Sequence, residues 1–307
     1  ISQDKSIWRF RNLLPLLSHT PPITMGEGGT PLLIADGLAK IFKHKNLYIK
    51  NETINPTLSF KDRPVSVGVT VAKQFQFKGV VTASTGNTGV STAAYAARAS
   101  LPCSIFVPKS TPKEKLSLMR AYGAIISEVE GTFSDAYTLA ASAANQQELY
   151  NLTSTFLNPF ALEGDKTLAY EIYLQLGGVP NWIVIPIGAG PLLVGCYKGF
   201  KELKMSGKIS TLPRMVGVQA RGCAPIVRAF EEGLDDVKPW VKPQTIAGGI
   251  ADPLTSYPRD GTRTLRTIYE SGGLAIGVDD NAILECVNLL ALKEGILAET
   301  AAVTSID

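Results

Sequence analysis

Residues 79–99 read Gly-Val-Val-Thr-Ala-Ser-Thr-Gly-Asn-Thr-Gly-Val-Ser-Thr-Ala-Ala-Tyr-Ala-Ala-Arg-Ala. The first six residues are an apolar, β-rich run, the next few are small and polar, and from Thr88 onward the composition is helical. The same strand-then-helix unit recurs outward in both directions. Further strands are expected at residues 104–109, 124–130, 182–187, 214–220 and 274–278. Helices are expected at residues 59–77, 88–99, 112–122, 132–145, 164–176, 192–204, 225–233, 261–271 and 281–295. Continuous Val/Ile runs alternating with helices require a parallel sheet covered on both faces, so the fold class is α/β. Thr111, Thr132 and Asp280 read as N-caps, with Pro112 and Glu114 completing a capping box after Thr111. Gly123, Gly177 and Gly233 follow helices, and the Pro- and Gly-rich residues 238–257 read as a long loop.

The chain has 307 residues, of which 45% are apolar and only 19% charged, where about 25% charged is usual. Such a chain buries a sizeable core, suggests about two domains, and is not intrinsically disordered. Thirty basic and 27 acidic residues leave a net charge of +3, with no basic block beyond pieces such as residues 43–45. Nucleic-acid and membrane-surface partners need concentrated positive charge, so neither is expected. The longest nearly apolar run, residues 182–195, is broken by Pro186, Pro191 and three glycines, so no membrane span is expected. Cys103, Cys196, Cys223 and Cys286 lie far apart without nearby histidines. Neither a disulfide framework nor a metal site is expected, and a reducing cytoplasm is the natural compartment. No secretory leader is visible, and Ile1 is not an initiator Met, so preceding residues are expected to be missing.

Three strand- or loop-to-helix junctions carry chemistry. In Asn55-Pro56-Thr57-Leu58-Ser59-Phe60-Lys61-Asp62-Arg63, Ser59 and Asp62 are spaced as a capping box, which puts Lys61 in the first helical turn. The positive end of the helix dipole, with any desolvation, favours a neutral amine there, as a Schiff-base or general-base lysine needs. A lone lysine beside a helix start is most often simply solvated, so this segment does not decide alone. Residues 84–89 (Ser-Thr-Gly-Asn-Thr-Gly) combine free N–H groups at a helix start with hydroxyl and amide donors, which suits a carboxylate as well as an ordinary capped turn. Residues 186–192 (Pro-Ile-Gly-Ala-Gly-Pro-Leu) suit a phosphate at a helix N-terminus, or a plain glycine turn. A dinucleotide fingerprint would need glycine where Leu193 stands, and a Walker loop would need Gly-Lys where Gly195-Cys196 stands.

Only His19 and His44 are present, with no HExxH and no G-x-S-x-G elbow, which weakens zinc-peptidase and serine-hydrolase readings. A candidate amine, an anion-binding turn and a phosphate-binding turn together suit pyridoxal phosphate.

Residues 55–63 resemble the Asn-Pro-Thr-Gly-Ser-Phe-Lys-Asp-Arg signature of the tryptophan-synthase-β-like, or fold-type II, pyridoxal-phosphate enzymes, with Leu58 where glycine is usual. Residues 26–32, 84–98, 162–167, 197–203 and 217–220 extend the similarity over nearly the whole chain, most closely to the threonine-synthase branch. The resemblance implies a large α/β domain (residues 1–61 and 161–307) and a smaller mobile α/β domain (62–160). It implies that Lys61 holds pyridoxal 5'-phosphate covalently and that Asn87 bonds its ring hydroxyl. Gly188, Ala189, Gly190 and Leu192 would bind the cofactor phosphate, and Ser84, Thr85 and Thr88 the substrate carboxylate. The implied reaction converts O-phospho-L-homoserine and water into L-threonine and phosphate, with Lys61 moving protons at Cα and Cβ. A small-molecule amino-acid substrate and a homodimer are the expected partners.

Two departures stand out. The branch reads Asn-Pro-x-Arg-Leu-Glu-Gly-Gln-Lys-Thr where this chain has residues 158–167, with Ala161 for Arg and Asp165 for Gln. Ala161 removes a guanidinium expected at the substrate phosphate. Lys109, Lys113 or Lys166 would have to replace it, or the substrate carries no phosphate. The hydroxyl expected to face the pyridine nitrogen would lie beyond Asp307. The alternatives are a sibling lyase acting on another amino acid (a threonine or serine dehydratase, or a β-replacing synthase) and a catalytically silent binding protein of the same fold.

Overall fold

Val80 and Val81 point to opposite faces of one strand and are both fully buried, each in a different apolar cluster. This is the two-sided burial that the continuous apolar run calls for. The computed structural model describes residues 4–17, 19–153 and 155–307. The chain divides into two compact units, one formed by Ile1–Thr30 with Glu52–Thr167, the other by Pro31–Asn51 with Leu168–Asp307. The expected 62–160 segment falls inside the first unit.

In the second unit, β1 (Leu32–Ile34) and β2 (Tyr48–Lys50) form an antiparallel ribbon, with α1 (Asp36–Ile41) between them in sequence. The first unit then runs α2 (Asp62–Gln74), β3 (Gly79–Ala83), α3 (Asn87–Arg98), β4 (Cys103–Pro108), α4 (Lys113–Ala121), β5 (Ile125–Val129), α5 (Phe133–Gln147), β6 (Leu149–Asn151) and α6 (Pro159–Asp165). Its sheet is parallel, in the order β5-β4-β3-β6. Successive strands step to one side of β3 and β6 returns on the other, so the order reverses at β3. Ligands of open α/β sheets bind beyond the carboxyl ends of strands at such a reversal.

The second unit continues with α7 (Thr167–Leu176), β7 (Trp182–Pro186), α8 (Pro191–Met205), β8 (Arg214–Ala220), α9 (Pro225–Glu231), α10 (Pro258–Glu270), β9 (Leu274–Val278) and α11 (Asp280–Glu294). Strands β7, β8 and β9 form a parallel sheet in that order. Here the expectation of full cover on both faces fails. Val216 and Val218 of the middle strand are buried against α11, but their row neighbours Val184, Leu274 and Ile276 are more than 40% exposed. Among the described residues no helix is long and apolar enough to cross a membrane.

Two cap assignments are corrected. Thr111 does not open a capping box: its hydroxyl donates to the Pro108 carbonyl (2.7 Å), and Pro112, with extended backbone, stands at the N-cap. The local turn captures the hydroxyl before the helix can. Asp280 is the first residue of α11 rather than its cap, because its carboxylate is taken by Thr245 Oγ1 (2.6 Å) and the Ile246 N–H (3.1 Å). Thr132 does cap α5, in a reciprocal box with Asp135. The helix expected at 164–176 is two helices, and α6 begins earlier, where the Asn158 side chain accepts from the N–H groups of Phe160 and Ala161 with Pro159 at the first helical position.

Candidate active site

Lys61 stands at the N-cap of α2, one residue before the helix, not inside its first turn. Ser59 Oγ accepts the Lys61 N–H (3.2 Å), but Asp62 does not reach back to complete a box. Its buried carboxylate is held instead by the Thr57 N–H (2.7 Å), Thr57 Oγ1 (2.5 Å) and Ser91 Oγ (2.6 Å). Burial pushes the Asp62 carboxyl up, and these hydrogen bonds oppose that rise. The Lys61 side chain is half-buried, with its ammonium 4.6 Å from the centre of the Phe60 ring. Its place still puts the amine at the positive end of a 13-residue helix.

The backbone around Lys61 is fixed by a buried polar lattice. Arg63 is fully buried and meets Glu52 with two donors, Nε to Oε2 at 2.7 Å and Nη2 to Oε1 at 2.8 Å. The hydroxyls of Thr30 and Thr167 also accept from the guanidinium. Asn55 ties the same carboxylate to the glycine loop, donating to Glu52 Oε2 (2.9 Å) and accepting from the Gly28 N–H (2.9 Å). Glu27, also fully buried, receives Trp8, Ser66, Thr24 and Tyr95 side chains. The sequence gives Glu27 and Glu52 no visible role, since nothing local marks them as partners of residues many positions away.

The turn at residues 84–89 leaves the carboxyl end of β3 at the order reversal. Ser84 Oγ accepts from the N–H groups of Gly86 (3.2 Å) and Gly89 (2.9 Å), which shapes the loop while leaving its own proton to donate. The N–H groups of Thr85 and Thr88 find no acceptor among the described residues. Asn87 is anchored by an unforeseen residue: Lys115 of α4 donates from Nζ to Asn87 Oδ1 (2.9 Å). An ammonium is a donor only, so the amide oxygen must face Lys115 and the amide N–H groups face away. Of the three cations expected to replace the missing arginine, Lys109 pairs with Glu130 and Lys166 with Glu163 (2.6 Å), and Lys113 is exposed.

Helix α6 lies directly on the start of α2. A Cβ on Gly164 would run into the Arg63 carbonyl, so only glycine permits this approach. The contact sets Asp165, the next residue, beside the Lys61 segment.

The other half of the candidate residues lies in the second unit. The turn at 188–192 is pinned through its carbonyls: Gln219 Nε2 donates to Gly188 O (3.2 Å) and Thr264 Oγ1 to Ala189 O (2.6 Å). The N–H groups of Gly188, Ala189, Gly190 and Leu192 have no acceptor among the described residues. Gly190 has φ +94°, and a Cβ there would collide with Thr264. Free donors converging at the N-terminus of the 15-residue α8 fit a phosphate ester, and a half-buried amine at a helix start fits an aldehyde. The residues present therefore suit pyridoxal phosphate.

Residues 23–307 match the family model for pyridoxal-phosphate-dependent enzymes. The chain belongs to that family. Its curated relatives include the threonine synthase of Methanocaldococcus jannaschii, 42% identical over 306 residues, 99% of this chain and 74% of that protein. The threonine synthase of Methanosarcina acetivorans is 40% identical over 303 residues, 98% of this chain and 73% of that one. Among solved structures, the processed threonine deaminase isoform 2 of Solanum lycopersicum superposes with a TM-score of 0.74 at 25% identity, covering 90% of this chain and 76% of that one. Maize serine racemase superposes with a TM-score of 0.78 at 20% identity, covering 91% and 81%, and shows the shared fold alone. The fold-type II architecture expected from the sequence is thus present, and pyridoxal phosphate is the family's cofactor.

Proposed function

We propose that this protein is a threonine synthase, forming L-threonine and phosphate from O-phospho-L-homoserine and water. The observation that carries the reading is 42% identity over 99% of the chain to a protein of that name. Pyridoxal phosphate, when bound, supplies an electron-withdrawing ring that accepts the electron pair left when a Cα proton is removed. Lys61 would hold it, Asn87 would present its amide N–H groups to the ring hydroxyl, and the free N–H groups of 188–192 would take its phosphate. Ser84, Thr85 and Thr88 would hold the substrate carboxylate. Once the substrate amine has displaced it from the cofactor, Lys61 would take protons from Cα and Cβ in turn. It would return one to Cγ after phosphate has left, and the other to Cα after water has added at Cβ. Because Ala161 offers no guanidinium, Lys115 is the cation that meets the substrate phosphate. It contacts the 84–89 turn through Asn87 and has no carboxylate within ion-pair distance among the described residues. Closure of a mobile 62–160 domain, a cytoplasmic location and a homodimer complete the reading.

The test is to incubate the enzyme, loaded with pyridoxal phosphate, with O-phosphohomoserine and to measure threonine and phosphate together. Equal release of both supports the assignment. Ala161 favours one rival, a sibling lyase acting on an unphosphorylated amino acid. An oxo acid formed from threonine or serine, with no phosphate released from O-phosphohomoserine, would select it.

A further inference from the structure

Asp165 is the least explained group in the molecule. It closes α6, is 2% exposed, and its Oδ1 has no hydrogen-bond partner. A buried carboxyl oxygen left unbonded is costly unless the carboxyl is neutral or serves a neighbour. Its neighbours are specific. The Gly164 contact presses this end of α6 onto the Lys61–Arg63 backbone. The charges of Lys61, at the N-cap of α2, and of Arg63 pull the Asp165 carboxyl down. That of Glu52, in the 3-10 turn preceding α2, pushes it up, although Asp165 makes no ion pair among the described residues. On its own helix Glu163 and Lys166 are already paired with each other. Arg63 is paired with Glu52, and Lys61 is the cation of this group that belongs to the candidate site.

We propose that Asp165 is a positioning residue that sets the protonation of Lys61. With both groups charged, the carboxylate supplies the amine's counter-charge. When the Nζ ammonium releases a proton to solvent and the carboxylate takes one up from it, a neutral amine and a neutral carboxylic acid remain, and the reverse exchange restores the charged pair. Burial disfavours two separated charges, so the two forms lie close in free energy. The carboxyl is suited to the exchange: burial pushes it up to about 7, against the downward pull of Lys61 and Arg63. The glutamine that the threonine-synthase signature carries at this position cannot take up a proton, so the device belongs to this chain.

The inference rests on the reading that Lys61 carries the cofactor, and the experiment separates the two. Holoenzyme is reduced with borohydride and the labelled peptide mapped. Label absent from Lys61 overturns the reading itself. With label on Lys61, the visible absorbance of the bound cofactor is titrated in wild type, Asp165→Asn and Asp165→Gln. The expected result is a midpoint about one pH unit lower in both variants, a tenfold weaker hold on the proton. An unchanged midpoint in folded variants overturns the proposal. Should both variants fail to fold, carbon-13 NMR of aspartate-labelled wild type decides. One carboxyl must titrate near neutrality and shift on cofactor binding, and a spectrum in which every aspartate titrates in the ordinary carboxylate range overturns it.

Discussion

Arg63 and Glu52 meet fork to fork in the interior, two N–H donors on two carboxylate oxygens at 2.7 and 2.8 Å. Because the arginine is fully buried, Glu52→Gln leaves a guanidinium without its paired carboxylate. Removing one partner of such a pair costs about 3–5 kcal/mol. Urea unfolding of the variant should show a loss of that order, with kcat lowered because Lys61 sits two residues from the displaced arginine. An unfolding midpoint equal to wild type would contradict this account.

Asp165 gives stability a definite pH dependence. Its carboxyl titrates near 7 in the folded chain against 3.8 ordinarily, so between those values the folded state holds a proton that the unfolded state has released. Stability therefore falls as pH rises from about 4 to about 7, by a total on the order of 4 kcal/mol. Asp62, also pushed up by burial, tilts the curve the same way. In Asp165→Asn the slope should flatten, leaving the variant more stable than wild type at pH 8 as measured by thermal unfolding.

Leu58 occupies the left-handed region, φ +62°, with its side chain 74% exposed. It stands where the family signature has glycine, keeping the backbone shape without the residue that adopts it freely. Leu58→Gly should stabilise by about 0.5–1 kcal/mol, since relief of the αL strain outweighs the added freedom of the unfolded chain. A destabilised variant in denaturant titration would show that Leu58 makes compensating contacts.

Gly190→Ala meets both a positive φ and the Thr264 side chain. Displacing this turn should weaken pyridoxal-phosphate binding at least about tenfold and lower stability by about 1–3 kcal/mol. Absorbance titration of the cofactor-free variant reads the first and calorimetry the second.

Lys115→Met should raise KM for O-phosphohomoserine about tenfold or more, the order expected when one charge-assisted hydrogen bond is removed. Inhibition by inorganic phosphate should weaken in parallel. Because Lys115 also orients Asn87, cofactor affinity is measured alongside, and a change confined to the cofactor would remove Lys115 from the phosphate site.

By itself the amino-acid sequence determined the α/β alternation, the strands at 214–220 and 274–278, and the segments carrying Lys61, the 84–89 turn and the 188–192 turn. These are local signals: buried parallel strands are apolar on both sides, and backbone that approaches ligands needs small residues. Local spacing misleads at the caps of Ser59, Thr111 and Asp280 because a hydroxyl or carboxylate goes to the strongest partner in three dimensions. Those partners are Thr57 and Ser91 for Asp62, the Pro108 carbonyl for Thr111, and Thr245 for Asp280. Only the tertiary structure could place Glu52 against Arg63, Lys115 on Asn87 and Asp165 beside Lys61. These pairs are separated by 11, 28 and 104 residues, and no periodicity in the chain records which buried charges will meet. Burial supplies the physical reason: a charge in water needs no partner, whereas a charge in the interior has its protonation and its partner decided together by whatever the fold brings near it.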